Sequence, residues 1–194
     1  MPSTLIAPPV EFSNVPRKKW TRDECAQMSS LFDLHHYELI DGELVRKMGK
    51  NHPHIRTLIL LMEWLQSVFR GRTAVQEIPI DVRPEDNSSS DPEPDAVVLA
   101  HSFFELAPRP KASEVRLVAE VSDTTLAFDL SAKAALYARA AIPEYWVLDV
   151  TNRRLIVHRQ PQAGKYQDVK VYAESESAAP LAAPDSVVKV DGFF

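Results

Sequence analysis

One five-residue run decides how this chain can fold. Leu117-Val118-Ala119-Glu120-Val121 is apolar at consecutive positions, with a single acid inside it. Side chains of a strand alternate between the two faces of a sheet. A run apolar at successive positions is therefore a central strand, covered on both faces. Ala96-Val97-Val98-Leu99-Ala100 has the same character. Two such strands call for helices on either side of one sheet.

The rest of the chain supplies them. Thr21-Arg22-Asp23-Glu24 is a capping box, so a helix is expected from Thr21 to about Phe32. Tyr37–Ile40, Asp41-Gly42 and Glu43–Arg46 read as strand, type I′ turn and strand. Asn51 to Phe69 is the longest helix, with Ile55, Leu58, Ile59, Met62, Leu65 and Phe69 on its apolar face. A strand is expected over Ala74 to Val82, and a flexible loop from Arg83 to Pro94. A later helix is capped by Asp129, carries Lys133, Leu136, Tyr137 and Ala140, and stops at Pro143. Tyr145–Val150, Leu155–Arg159, Lys165–Tyr172 and Val187–Val190 read as further strands, with Tyr145 and Trp146 in the core. Strands and helices interleave, so the class is α/β (α+β): one mixed sheet flanked by helices, with an N-terminal helix and hairpin. Residues 1–19, rich in Pro and ending in Arg17-Lys18-Lys19, form an arm; the basic run is read as solvated rather than phosphate-binding. Residues 20–194 form a single domain.

The net charge of −5 argues against a protein living mainly by phosphate contacts. If nucleic acid is a ligand, contact is local or transient. The single cysteine, Cys25, excludes an internal disulfide and a cysteine zinc site. No apolar run approaches the roughly 20 residues of a membrane span. No signal peptide is visible, and the expected compartment is the cytoplasm.

The chemistry is expected around Glu120. A carboxylate in an apolar strand is costly unless a cation, a hydrogen-bond donor or a metal sits beside it. The competing reading is a Glu at a strand end, exposed or paired with Arg. Asp95 enters the other buried strand behind Pro94, where it is either a second site acid or an ordinary strand-initiating Asp. Adjacent strands lie about 4.8 Å apart, so both acids could reach one divalent ion. Their oxygens suit Mg²⁺ or Mn²⁺ and not zinc. Lys133 is flanked by Ala132, Ala134 and Ala135. Its ammonium could fold back toward the strand, although a helix lysine is ordinarily solvated. His35-His36 and His52-Pro53-His54 lack the i, i+4 spacing of a histidine metal site. His52 is read as a phosphate contact or helix cap.

The ordered series Tyr37–Val45, the helix from Asn51, Glu93–Leu99, Leu117–Thr125 and Lys133–Val150 resembles the Uma family of putative restriction endonucleases, in the PD-(D/E)XK nuclease superfamily. The resemblance covers about residues 20–194. It implies a restriction-endonuclease-like core with Mg²⁺ held by Asp95, Glu120 and the backbone carbonyl of Val121. It also implies an additional carboxylate from Glu38, for which a cross-strand ion pair is the plainer role. The superfamily lysine lies two residues after the Glu, where this chain has Ser122; in the Uma family that role moves to the following helix, at Lys133. Where the family usually has Gly, this chain has Ala141.

The expected function is Mg²⁺-dependent endonuclease action on DNA, with Mn²⁺ able to substitute and a homodimer suited to twofold DNA. Two alternatives stay open. One is a catalytically weak or inactive nuclease-fold binding or regulatory module. The other is a metal-free hydrolase using Asp95 and Glu120 as an acid/base pair.

Overall fold

The computed structural model describes residues 17–34, 36–47 and 51–194. The first helix, α1 (Arg22–Met28), opens with the expected capping box: Thr21 and Glu24 satisfy each other's backbone N–H groups. It ends four residues before Phe32, because none of its residues is buried and no packing extends it. Strands β1 (Tyr37–Ile40) and β2 (Glu43–Arg46) form the hairpin. Its turn residues Asp41 and Gly42 have φ of 48° and 79°, as a type I′ turn requires. The Lys19 side chain lies 2.9 Å from where a Cβ on Gly42 would stand, so glycine is needed there twice over. The basic run before α1 is taken up by carboxylates: Lys18 binds Glu24, and Lys19 and Arg17 face Glu43. The remainder of the expected arm, residues 1–16, and His35 lie outside the described residues.

Helix α2 (His52–Val68) is capped by Asn51, whose side chain accepts from the His54 N–H. The cap is therefore Asn51 and not His52. The buried face is Thr57, Leu58, Leu61, Met62 and Leu65, while Ile55 and Ile59 are 44% and 52% exposed. Leu58 to Met62 is continuously apolar, so periodicity alone allowed two faces. Packing on the small residues Ala96 and Ala119 selects the one centred on Leu61.

Six strands make the main sheet: β3 (Ala74–Gln76), β4 (Ala96–Leu99), β5 (Val115–Ser122), β6 (Glu144–Asp149), β7 (Arg154–Gln162) and β8 (Lys165–Tyr172), in that order across the sheet. All neighbours are antiparallel except β5 and β6. The strand expected over 74–82 stops at Gln76, because Glu77 takes a positive φ of 53° and Pro79 cannot donate to a ladder. Ile80 and Val82 are still buried beyond it. The segment expected to be a flexible loop is pinned instead. Asn87 caps the Val82 N–H, Arg22 binds the Ser90 carbonyl, and the Asp91 N–H bonds to Leu39 O.

The parallel β5–β6 pair is joined by a helical crossover: α3 (Leu126–Phe128), a π-helical turn over Asp129–Lys133, and α4 (Ala134–Arg139). The Ala134 N–H bonds to Asp129 O, the i→i+5 spacing of a π-turn. Asp129 thus sits inside the helical stretch and is buried; it is not the cap. The helix closes with the Ile142 N–H on Tyr137 O and the Ala141 N–H on Ala138 O, a Schellman arrangement. Ala141 has φ of 57°, a position glycine ordinarily fills. The short β9 (Ser177–Ala178) and β10 (Val188–Lys189) pair with each other, and Phe193 packs beside Trp64 and Trp146.

The sheet's two faces bury different sets. Ala96, Val98, Leu117, Ala119, Val121, Trp146 and Leu148 pack with α2. Val97, Leu99, Val118, Tyr145 and Val147 pack with Tyr137 and the crossover helix. Among the described residues no helix is long and apolar enough to cross a membrane.

Candidate active site

The β4–β5 register pairs Ala96 with Ala119 and Val97 with Val118. Extended by one residue, it sets Asp95 opposite Glu120. Directly opposed residues in an antiparallel pair project to the same face, here the face toward the crossover helix. β4 itself starts only at Ala96. The Asp95 carboxylate continues the ladder by accepting the Val121 N–H at 2.9 Å. Within a strand the N–H and C=O of one residue leave by the same edge. The Val121 carbonyl therefore faces the Asp95 side as well, and Val121 lines the pocket that opens there.

Glu120 is 4% exposed, which excludes the exposed strand-end reading. Lys133 Nζ donates to Glu120 Oε1 at 2.8 Å, and Tyr137 OH donates to the same oxygen at 2.9 Å. Lys133 also reaches Glu38 Oε2 at 2.9 Å, while Glu38 Oε1 accepts the Glu93 N–H. Lys133 is thus a buried bridge between two carboxylates and not a solvated helix lysine. Ser122, two residues after Glu120, is fully buried and its hydroxyl lies 3.4 Å from that of Thr125.

The electrostatics follow from crowding. Burial raises the Glu120 carboxyl well above its ordinary range; Lys133 opposes that, and Asp95, Glu38 and Asp129 add to it. Burial also raises Asp129, against the pull of Lys133 and a hydrogen bond from Thr125. Burial depresses the Lys133 ammonium, but Glu120, Glu38 and Asp129 outweigh it and its pKa is raised. Lys133 is therefore a held cation. Burial likewise keeps Tyr137 a neutral phenol.

The pocket, about 310 Å³, is lined by seven carboxylates against three Lys and Arg cations among the described residues. Such an excess favours a further cation. Among the described residues no three His, Cys, Asp or Glu side chains are grouped to hold a metal ion. Asp95, Glu120 and the Val121 carbonyl are the oxygens here that could hold an ion, two from side chains and one from the main chain. That suits Mg²⁺, which keeps several waters and takes one or two carboxylates.

Three participants escaped the sequence reading. His54 enters from the first turn of α2; its Nε2 is buried, 3.4 Å from Asp95 Oδ1, without a hydrogen bond among the described residues. Tyr137 is four residues after Lys133, so the helical period could have found it. Asp129, read as a cap, was hidden by the π-turn. A second buried acid shows what a structural carboxylate looks like here. Glu144 is bound by Arg159, Trp146 Nε1 and the Leu181 N–H, all away from the pocket.

The fold is similar to that of a putative nuclease belonging to DUF820 from Anabaena variabilis ATCC 29413. The TM-score is 0.60, with 15% identity over 81% of this chain and 89% of that one. At that identity the likeness concerns the fold alone. No curated protein matches the chain. The family model of Uma2, described as "Putative restriction endonuclease", matches residues 23–190. That match runs from the first turn of α1 to the end of β10 and takes in Glu38, Asp95, Glu120 and Lys133, and on it the chain belongs to the Uma2 family.

Proposed function

We propose that this chain is a Mg²⁺-dependent endonuclease that hydrolyses DNA phosphodiester bonds. The observation that carries the reading is Lys133 Nζ on Glu120, with Asp95 opposite in register. Asp95, Glu120 and the Val121 carbonyl would hold Mg²⁺, or Mn²⁺ in its place. When bound, the ion offsets charge building on the phosphate and lowers the pKa of water. Lys133 and Tyr137 both engage Glu120 Oε1, so Oε2 is the oxygen that would take the ion. Lys133, held protonated, acts as a donor that orients the attacking water or steadies a phosphate oxygen. It is not the base. Glu38 fixes the ammonium from the hairpin side. A cytoplasmic homodimer would place two such sites on twofold DNA.

A second reading, a nuclease-fold binding module that does not cut, draws support from Ser122 and from the clamping of Lys133 between two acids. Plasmid nicking with Mg²⁺ or Mn²⁺, stopped by EDTA, separates the two. Calorimetry with Mn²⁺ on wild type and Glu120→Gln completes the test. If Glu120→Gln binds Mn²⁺ as well as wild type, and neither protein cuts single- or double-stranded DNA, the nuclease reading is wrong and the carboxylates are structural.

A further inference from the structure

The π-helical turn Asp129–Lys133 separates two cavities. Asp129 and Lys133 line the acidic pocket. Leu130 and Ser131, with Ala134 and Ala135 of α4, line a second one of about 520 Å³, whose other wall is β7 and β8. That volume is in the range of small-molecule sites. Its chemistry is opposite to the first: among the described residues no Asp or Glu lines it, in a chain of net charge −5, whereas Arg154 and Lys165 do.

Its walls are apolar. The β7–β8 register sets Val171 beside Ile156 and Val169 beside His158 on one face. Val169 and Val171 are about half exposed on β8, an edge strand. The rings of His158 and Tyr166 lie 5.6 Å apart and add flat surfaces. His158 is itself 5% exposed, and its Nδ1 has no hydrogen-bond partner among the described residues. Burial lowers its pKa, so the positive charge of the groove comes from Arg154 and Lys165. Arg154 commits Nε to Asp149 at 2.7 Å and lines the groove. Lys165 has no ion pair among the described residues.

We propose that this groove binds a small aromatic anion: a flat apolar body against Leu130, Ala135, Ile156 and Val169, with one acid group held by Lys165 and Arg154. A neutral apolar ligand would leave the two cations unanswered. An inorganic anion would leave the apolar walls wet. The proposal is independent of metal or nuclease chemistry in the other pocket.

The test uses the full chain in EDTA. It is titrated with 8-anilinonaphthalene-1-sulfonate and with the neutral N-phenyl-1-naphthylamine, which carries the same rings, and fluorescence is followed. The anion should saturate at one per chain and the neutral probe should bind about tenfold more weakly, the scale of one charge-assisted contact. Ala135→Trp, which fills the groove, should abolish binding. Lys165→Glu, a surface change that leaves the core untouched, should weaken the anion about tenfold while sparing the neutral probe. Equal binding of both probes, or binding of the anion unchanged in Lys165→Glu, overturns the proposal. So does light scattering that shows a pair of chains in wild type and single chains in Ala135→Trp, since the groove is then an interface between copies.

Discussion

The two faces of the six-stranded sheet are built from the same strands and have opposite characters. Under α2 the cluster is apolar around Trp146, which stacks on Trp64 at 5.9 Å, and the buried Glu144 beside it is tied up by Trp146 Nε1, Arg159 and the Leu181 N–H. Under the crossover helix the same strands bury Glu120 against Lys133, with Asp129 and Tyr137 close by. Neighbouring residues on one strand, Ala119 and Glu120, therefore answer to different demands. The α2 face stabilises by excluding water, at roughly 2 kcal/mol for each fully buried large side chain. The crossover face tolerates charge only because each charge has a partner. Period-2 alternation alone turns Ala119 toward α2 and Glu120 toward the crossover helix.

The sharpest way to test this division is to remove charge from the reactive face alone. Asp95→Asn and Glu120→Gln should each lower plasmid nicking by on the order of 10³-fold, about 4 kcal/mol of barrier. Urea unfolding in EDTA should show the fold retained. A stability loss well beyond the roughly 3 kcal/mol of one broken buried pair would mean the acids are structural. Trp146→Ala asks the converse question of the other face. It should cost about 4 kcal/mol of folding stability through transfer and cavity effects. The direction of the Lys133 side chain should remain as it is.

Lys133→Met breaks the comparison from inside. The stem keeps its volume, but Glu120 and Glu38 lose their shared cation. Removing one partner of a buried pair costs about 3 kcal/mol, measurable by urea titration in EDTA at neutral pH. Nicking should fall as well, while Mn²⁺ affinity stays near that of wild type. An unchanged midpoint would show that the pair contributes nothing to folding.

A charge away from the pocket provides the pH control. Asp149 is buried; desolvation pushes its carboxyl up, but Asn152 and Arg154 outweigh that and hold it below the ordinary range. A depressed folded pKa stabilises above the unfolded value of about 3.9. The contribution is lost as pH falls through the folded value. Asp149→Asn should therefore cost about 2 kcal/mol at pH 7, and the gap to wild type should close below about pH 4. A gap that persists in acid would mean the loss is one of packing.

The smallest effect is expected at the end of α4. Ala141→Gly should stabilise by about 1 kcal/mol, because it relieves an alanine held at positive φ. Thermal unfolding would detect it, and a lower melting temperature would count against the strain.

The sequence made the sheet and its two buried strands readable because β4 and β5 are apolar at successive positions, a pattern few other structures produce. Asp95 and Glu120 stood out against that background. The hairpin was equally plain, since Asp-Gly has few uses besides a tight turn. Legibility failed where one residue had two acceptable neighbours. Ile59 and Leu61 compete for the same core, and only Ala96 and Ala119 decide between them. Asp129 begins what looks like a helix, so capping was the simpler account until the π-turn placed it inside. The direction of Lys133 could not be derived from its helix. It depends on Glu38, which arrives from a hairpin almost a hundred residues earlier in the chain.

The wide turn at Asp129–Lys133 also sets a rule of counting. Asp129, Lys133 and Tyr137 are spaced by four, and in an unbroken α-helix each such step drifts about 40° around the axis. A π-turn takes more residues per revolution and winds part of that drift back. Its extra residue acts as a phase adjustment that keeps an acid, a cation and a phenol on one bearing. Losing one residue from the turn would shift the phase by about 100°, carrying Lys133 away from Glu120. The length of the turn, and not only its composition, holds the three side chains together.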